Sequence, residues 1–166
     1  MRVEWSEGKL GLGDTGAMTI VTSPQVVSVG YEGRSVSELV EVLQAQGVSV
    51  LVDVRLTPIS RKPGLSKSAL ARALRAAGIE YVHHRDLGNP KDNRDSYRAG
   101  DRESLSFYQQ VLKSAAGQSA LRHVSELLDE GVVALLCFER NHDECHRHQV
   151  ADELSELRSD LRVTRA

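Results

Sequence analysis

The stretch Cys137-Phe-Glu-Arg-Asn-His-Asp-Glu-Cys-His-Arg147 gathers thiols, imidazoles, carboxylates and guanidinium groups into one short segment. It joins an apolar run, Val132-Val-Ala-Leu-Leu-Cys137, to an amphipathic segment opening at Val150. A buried strand is therefore expected to end there and a helix to begin, from about Glu144 to Leu157. A helix N-terminus offers unpaired N–H groups and a partial positive charge, which attract anions and favour thiolates. With Asp143 as N-cap, Cys145, His146 and Arg147 fall in the first turn. Cys145 is then the candidate nucleophile or redox thiol, with His146 beside it. His146 also stands in line with Val150, Leu154 and Leu157, as a packing histidine would. Glu139 shares the face of Cys137 and is placed to hold Arg147 or Arg55, or to handle protons. Cys137, His142, Cys145, His146 and His148 offer donors that would suit zinc, but their spacing is that of no zinc ribbon or finger. Taken alone, Cys137 reads as a small core residue at a strand end. No cofactor is predicted.

Positioning such a segment requires a scaffold, and the pattern from Gln25 onward supplies one. Val26-Val-Ser-Val-Gly30 reads as a strand. Ser35 and Glu38 form a capping box ahead of Val36, Leu39, Val40 and Leu43, which share one helix face. Val48-Ser-Val-Leu-Val-Asp-Val54 is a continuous apolar run, as in a strand covered on both faces. Ser66 is expected to cap a second helix bearing Leu70, Ala73, Leu74 and Ala77. Ile79-Glu-Tyr-Val-His83 is a third strand. Residues 85–103 are polar and read as a long irregular loop, and two further helices precede a Val132–Phe138 strand. Strands alternating with helices predict a three-layer α/β/α sandwich with a mostly parallel sheet. Right-handed crossovers place all carboxyl strand ends on one edge, where such folds bind ligands.

The residues at those ends complete the candidate site. Tyr31, Glu32, Gly33 and Arg34 follow the first strand, with Gly33 permitting a tight approach to an anion at the helix start. Asp53 and Arg55, two apart, point to the same face; Asp53 either orients Arg55 or a histidine, or acts as a base. Arg61 and Lys62 add positive charge on a proline-stiffened loop, with Arg61 taken as an anion ligand and Lys62 as solvated. Of His83 and His84, alternation admits one to the site, and His83 is preferred because it shares a face with Tyr81.

The chain of 166 residues has a formal net charge of -2, so no bulk electrostatic case for nucleic acid exists. A local basic set, Arg55 to Lys62 with Arg85, Lys91, Arg94 and Arg98, keeps a nucleic-acid or protein binding module as the alternative. Two cysteines make no disulfide framework. No apolar run approaches the roughly 20 residues of a membrane span. A soluble cytoplasmic protein with no membrane partner is expected, while oligomeric state is not readable. Residues 1–25 read as a loose leader, with Met18 a candidate natural start, and residues 26–160 as one α/β domain.

Four ordered motifs resemble the family called domain of unknown function 488. They are Val29-Gly-Tyr-Glu-Gly-Arg34, Leu51-Val-Asp-Val-Arg-Leu-Thr-Pro-Ile-Ser-Arg-Lys-Pro-Gly64, Tyr81-Val-His-His-Arg-Asp-Leu-Gly88, and Cys137-x-Glu139 with Cys145-His-Arg147. The resemblance implies a three-layer α/β domain and the same strand-end residues, but no reaction. The chain departs from the family pattern at Leu65, at Asn89 and at Asn141-His142. These readings together predict a small α/β protein that binds an anionic, phosphate- or nucleotide-like ligand, with thiol chemistry at Cys145.

Overall fold

The computed structural model describes residues 22–166, so most of the expected leader, Met18 included, lies outside the described residues. Gln25, expected in that leader, instead opens β1 (Gln25–Gly30). The chain continues through α1 (Val36–Ala45), β2 (Val48–Asp53), α2 (Lys67–Ala76), β3 (Glu80–His83), α3 (Arg94–Arg98), α4 (Arg102–Lys113) and α5 (Ala115–Glu130). It ends with β4 (Val132–Cys137), α6 (Arg147–Leu157) and β5 (Arg162–Arg165). The five strands form one all-parallel sheet in the order β3-β2-β4-β1-β5.

Period-two alternation divides the strand side chains between two cores. Val27, Val29, Leu51, Ala134 and Leu136 meet Leu39, Leu43, Leu70 and Leu74 from α1 and α2. Val26, Val50, Val52, Val133 and Leu135 meet Tyr108, Leu112, Leu121, Val124, Val150 and Leu154 from α4, α5 and α6. Burial on both faces explains why the central strands read as unbroken apolar runs. The architecture is the expected three-layer α/β sandwich. The capping box forms as expected: Ser35 Oγ accepts from the Glu38 N–H at 3.2 Å, and Glu38 Oε2 accepts from the Ser35 N–H at 2.7 Å. No helix among the described residues is long and apolar enough to cross a membrane.

Three segments differ from expectation. Residues 85–103 are not irregular: two 3-10 turns, α3 and the start of α4 fill them. Tyr97 packs edge-on against Tyr108 at 5.6 Å, and Tyr108 donates to the Leu87 carbonyl at 2.6 Å. These few buried contacts order a segment whose charged exterior hides any helical period. Next, α6 starts at Arg147 rather than near Glu144, and Asp143 is not its N-cap. The Asp143 N–H is instead engaged by Asn141 Oδ1 at 3.1 Å, and its carboxylate pairs with Arg165 at 2.9 Å. Finally, β5 lies beyond residue 160 and adds a parallel edge strand to β1.

Chain direction creates the site. β1 and β2 pass into helices on one face, whereas β4 passes into α6 on the other. The loops part where β4 lies between β1 and β2, and a crevice opens at the carboxyl ends.

Candidate functional site: two cysteines and a histidine beneath a cavity

The crevice holds a cavity of about 220 Å³. Its lining combines Tyr31 after β1, Arg55 to Thr57 and Ile59 after β2, and Cys137 to Glu139 at the end of β4. His146 and Glu144 come from the approach to α6, and Asn89, Arg94, Tyr97 and Arg98 from the segment before α4.

Cys137 and His146 line it, and Cys145 packs directly behind them. Their sulfur and nitrogen atoms all lie within 4.8 Å of one another, and all three residues are buried. His146 Nδ1 stands 3.9 Å from Cys137 Sγ and 3.8 Å from Cys145 Sγ. Its other nitrogen, Nε2, is 3.0 Å from the Val54 carbonyl oxygen. A carbonyl only accepts, so Nε2 carries a proton and Nδ1 faces the sulfurs. Arg147 Nε donates to Cys145 Sγ at 3.2 Å, while its Nη2 donates to the Glu139 carbonyl. The loop from Phe138 to His146 is thus tied down by its own backbone and by the side chain of the first α6 residue.

These contacts divide the two thiols. Burial resists ionisation of Cys145, but a hydrogen bond from the Cys137 thiol, the His146 ring and the Arg147 guanidinium outweigh it and hold its pKa well below the ordinary value. Cys137 moves the other way, raised by its hydrogen bond to Cys145, by burial and by the charges of Cys145 and Glu139. Burial would lower the pKa of His146, but the neighbouring Cys145 thiolate raises it. These opposed shifts make Cys145 the more acidic of the two thiols. Glu139 Oε2 lies 3.3 Å from Cys137 Sγ, and Glu139 Oε1 pairs with Arg98 at 2.9 Å.

The family model described as "Domain of unknown function DUF488" matches residues 35–154, well over half of the chain. The chain belongs to the DUF488 family. No curated protein and no solved structure matches it. The DUF488 match takes in β2, β3, β4 and most of α6 with the Cys137, Cys145 and His146 cluster, while Tyr31 to Arg34 lie before it and β5 after it.

Within this DUF488 fold the residues expected to form one pocket fall into distinct groups. Glu139, His146, Tyr31 and Arg55 line the cavity, joined by Cys137, which was expected only as a core residue. Cys145 lies just behind its wall and is 1% exposed. Arg147, expected to hold an anion, is fully buried and directed at Cys145 and the loop backbone, not at the cavity. Asp53 is also fully buried, and its oxygens accept from Arg55 Nε at 2.8 Å, Arg55 Nη2 at 2.6 Å, the Arg55 N–H at 3.1 Å and Tyr81 Oη at 2.7 Å. Such saturation makes Asp53 an orienter of Arg55. Burial would lower the pKa of Arg55, but Asp53 raises it. Arg55 Nη1 donates to Tyr31 Oη at 3.3 Å and the Leu65 carbonyl at 2.9 Å, so this guanidinium mainly braces the wall.

The Tyr-Glu-Gly-Arg segment clasps the thiol loop. The N–H groups of Tyr31 and Glu32 donate to the carbonyls of Cys137 at 3.3 Å and Phe138 at 2.9 Å. Glu32 Oε2 accepts from the Arg140 N–H at 3.0 Å. Gly30 lets the strands approach, because a Cβ there would run into the Glu139 carbonyl. Gly33 has φ +73°, where other residues are strained. Arg34 turns back to the carbonyls of Gly30 at 3.0 Å and Ala166 at 3.4 Å. Arg61 is exposed and outside the cavity lining. His83 bonds the Arg55 carbonyl oxygen through Nε2 at 2.8 Å and lies in a neighbouring shallow depression with Lys67 and Arg85. His84 pairs with His123 at 2.8 Å, so neither histidine of that strand end lines the cavity.

Sequence reasoning left nine cavity residues out of the candidate site, Asn89, Arg94, Tyr97 and Arg98 among them, and misjudged Cys137. Arg94 and Arg98 were assigned only to the basic set of the alternative binding module, whereas Arg94 Nε is fixed by the Asn89 carbonyl at 3.1 Å and both arginines line the cavity. Asn89 follows Gly88, and this pairing was the available signal. Tyr97 is buried on α3, an element of five residues, too short for a periodic pattern. Of the other proposed metal donors, His142 Nδ1 bonds Ser28 Oγ at 2.7 Å and His148 Nδ1 bonds the Cys145 carbonyl oxygen at 2.8 Å. Both are thereby held off the Cys137–Cys145–His146 cluster.

Proposed function

We propose that this DUF488 protein binds a small anionic ligand in the strand-end cavity, and that its chemistry rests on the Cys145 thiolate just behind the cavity wall. The carrying observation is the convergence of Cys137, Cys145 and His146 directly beneath a cavity whose rim bears Arg94 and Arg98. Arg94 supplies the positive field, because Arg55 is neutralised by Asp53, Arg98 by Glu139 and Arg147 by the thiolate. Arginine suits this role through its planar, multidentate donors. Phe138 and Ile59, 43% and 76% exposed, form an apolar lip on the same cavity, so a ligand with both an anionic group and a flat apolar part matches it best. A phosphorylated small molecule such as a nucleotide has that character.

A ligand that binds only the folded state raises the melting temperature. The test is a thermal-shift series on the full chain with orthophosphate, a sugar phosphate and the nucleoside monophosphates. At least one is expected to raise the midpoint, with the rise reduced in Arg94→Ala. A midpoint unmoved by every compound at millimolar concentration overturns the reading.

A further inference from the structure

We propose that Cys137 Sγ, Cys145 Sγ and His146 Nδ1 bind a thiophilic divalent cation, zinc by preference, whose fourth coordination position opens into the cavity. This rests on the reading of the cavity as a ligand site and names the use to which its thiolates are put.

Four independent features of the geometry carry the inference. First, spacing fits. Tetrahedral zinc with Zn–S near 2.3 Å and Zn–N near 2.0–2.1 Å sets its sulfur and nitrogen ligands about 3.6 Å apart. The two sulfur-to-nitrogen separations are 3.9 Å and 3.8 Å and all three donor atoms lie within 4.8 Å of one another, so closure onto an ion needs modest side-chain shifts. Second, the tautomer is already set: Nε2 is occupied by the Val54 carbonyl at 3.0 Å, leaving Nδ1 for the ion. A metal-bound histidine nearly always makes that outer hydrogen bond. Third, Arg147 Nε at 3.2 Å from Cys145 Sγ is an outer-shell donor that orients the thiolate. Fourth, Cys137 and His146 line the cavity while Cys145 lies behind them, so three protein ligands close one side and the other faces solvent. Three protein ligands with one open position is the arrangement of catalytic rather than structural zinc. Two thiolates and an imidazole select a soft, tetrahedral ion over magnesium or calcium.

Glu139, 3.3 Å from Cys137 Sγ and anchored by Arg98 at 2.9 Å, is placed to accept a hydrogen bond from whatever fills the fourth position. An anionic ligand drawn in by Arg94 would reach the same point.

The experiment uses the full-length protein, reduced and stripped of metal with a chelator, then titrated with cobalt(II). One equivalent is expected to produce a thiolate-to-cobalt charge-transfer band and the intense visible bands of a tetrahedral ion, and zinc should erase both. Cys137→Ser, a cavity-wall change, and His146→Asn should lose the charge-transfer band's full intensity and weaken zinc binding, with folding of each metal-free variant checked by circular dichroism. Arg147→Lys should lower zinc affinity roughly 10–100-fold, as expected for an outer-shell partner. X-ray absorption of the zinc-loaded wild type reads the ligand set even if a variant does not fold. Two sulfurs at about 2.3 Å and one imidazole nitrogen at about 2.0–2.1 Å support the site, and an all-oxygen or all-nitrogen set overturns it. Absence of any cobalt band in folded, reduced wild type overturns it equally. Thermal shift by orthophosphate in the metal-free protein keeps the two proposals apart. A shift without a cobalt band sinks the metal alone, and a band without any phosphate effect sinks the anion pocket alone.

Discussion

Replacing Asp53 with alanine isolates what that carboxylate does. In the fold Asp53 is fully buried and Arg55 is 5% exposed, and the two meet through paired bonds of 2.8 Å and 2.6 Å. Asp53→Ala leaves a guanidinium in a dry wall with only Tyr31 Oη and the Leu65 carbonyl for company. Stranding one partner of a buried pair costs about 3–5 kcal/mol. A domain of this size unfolds with an entropy of roughly 0.3 kcal/mol/K, so the melting temperature should fall by about 10–16 °C. Urea denaturation should show a lowered midpoint at an unchanged slope, since the surface exposed on unfolding is nearly the same. The double variant Asp53→Leu/Arg55→Met removes both charges and should recover most of the loss, because well-packed apolar pairs replace buried ion pairs at little cost. The resulting coupling energy should exceed about 2 kcal/mol in a double-mutant cycle. A single-variant loss below about 1 kcal/mol, or a double variant no better than Asp53→Ala, would refute the assignment of Asp53 as the orienter of Arg55.

Three further outcomes are expected. In reduced, metal-free protein, ultraviolet absorbance should report one thiolate at neutral pH that Cys145→Ser removes and Cys137→Ser largely keeps; two thiols titrating near the free value of about 8.5 would contradict the division of the pair. Gly30→Ala should destabilise the fold by about 2–3 kcal/mol, read by urea midpoint, because the new methyl meets the Glu139 carbonyl; a neutral substitution would show that the thiol loop yields freely. Burial, with Arg165 and Arg147 nearby, lowers the pKa of His142 from 6.5. Between the lowered value and 6.5 the unfolded chain binds the extra proton, so the contribution of His142 is full above that window and is lost as pH falls through it. Wild-type protein should therefore lose melting temperature faster than His142→Gln between about pH 7 and pH 5, and parallel losses would count against it.

The layered fold was legible because each central strand advertises burial on two faces, and Ser35 with Glu38 spells its helix start in four residues. The strand-end edge followed from topology alone. Which side chains turn inward at that edge did not follow. Arg147 looks in sequence like an exposed first-turn cation, yet a buried thiolate two residues away holds it inside. Cys137 looks like filler, yet the crevice reaches it because β4 departs to the opposite face from its neighbours. The start of α6 was misplaced because Asp143 resembles a cap, while Asn141 takes its N–H and Arg165 takes its carboxylate. Arg165 belongs to β5, whose four residues alternate too briefly to announce a strand.

That last strand gives the molecule a weak seam. Among the described residues, β5 is short, largely solvent-facing and held by one neighbour only. Its amides should exchange with deuterium long before those of β4, in a local opening that leaves the rest of the sheet intact. Each such opening breaks the Arg165–Asp143 tether and the Arg34 bond to Ala166, slackening both walls of the thiol loop at once. It also bares the hydrogen-bonding border of Gln25 to Ser28, so the seam that governs breathing at the loop is also where two molecules would first zip together.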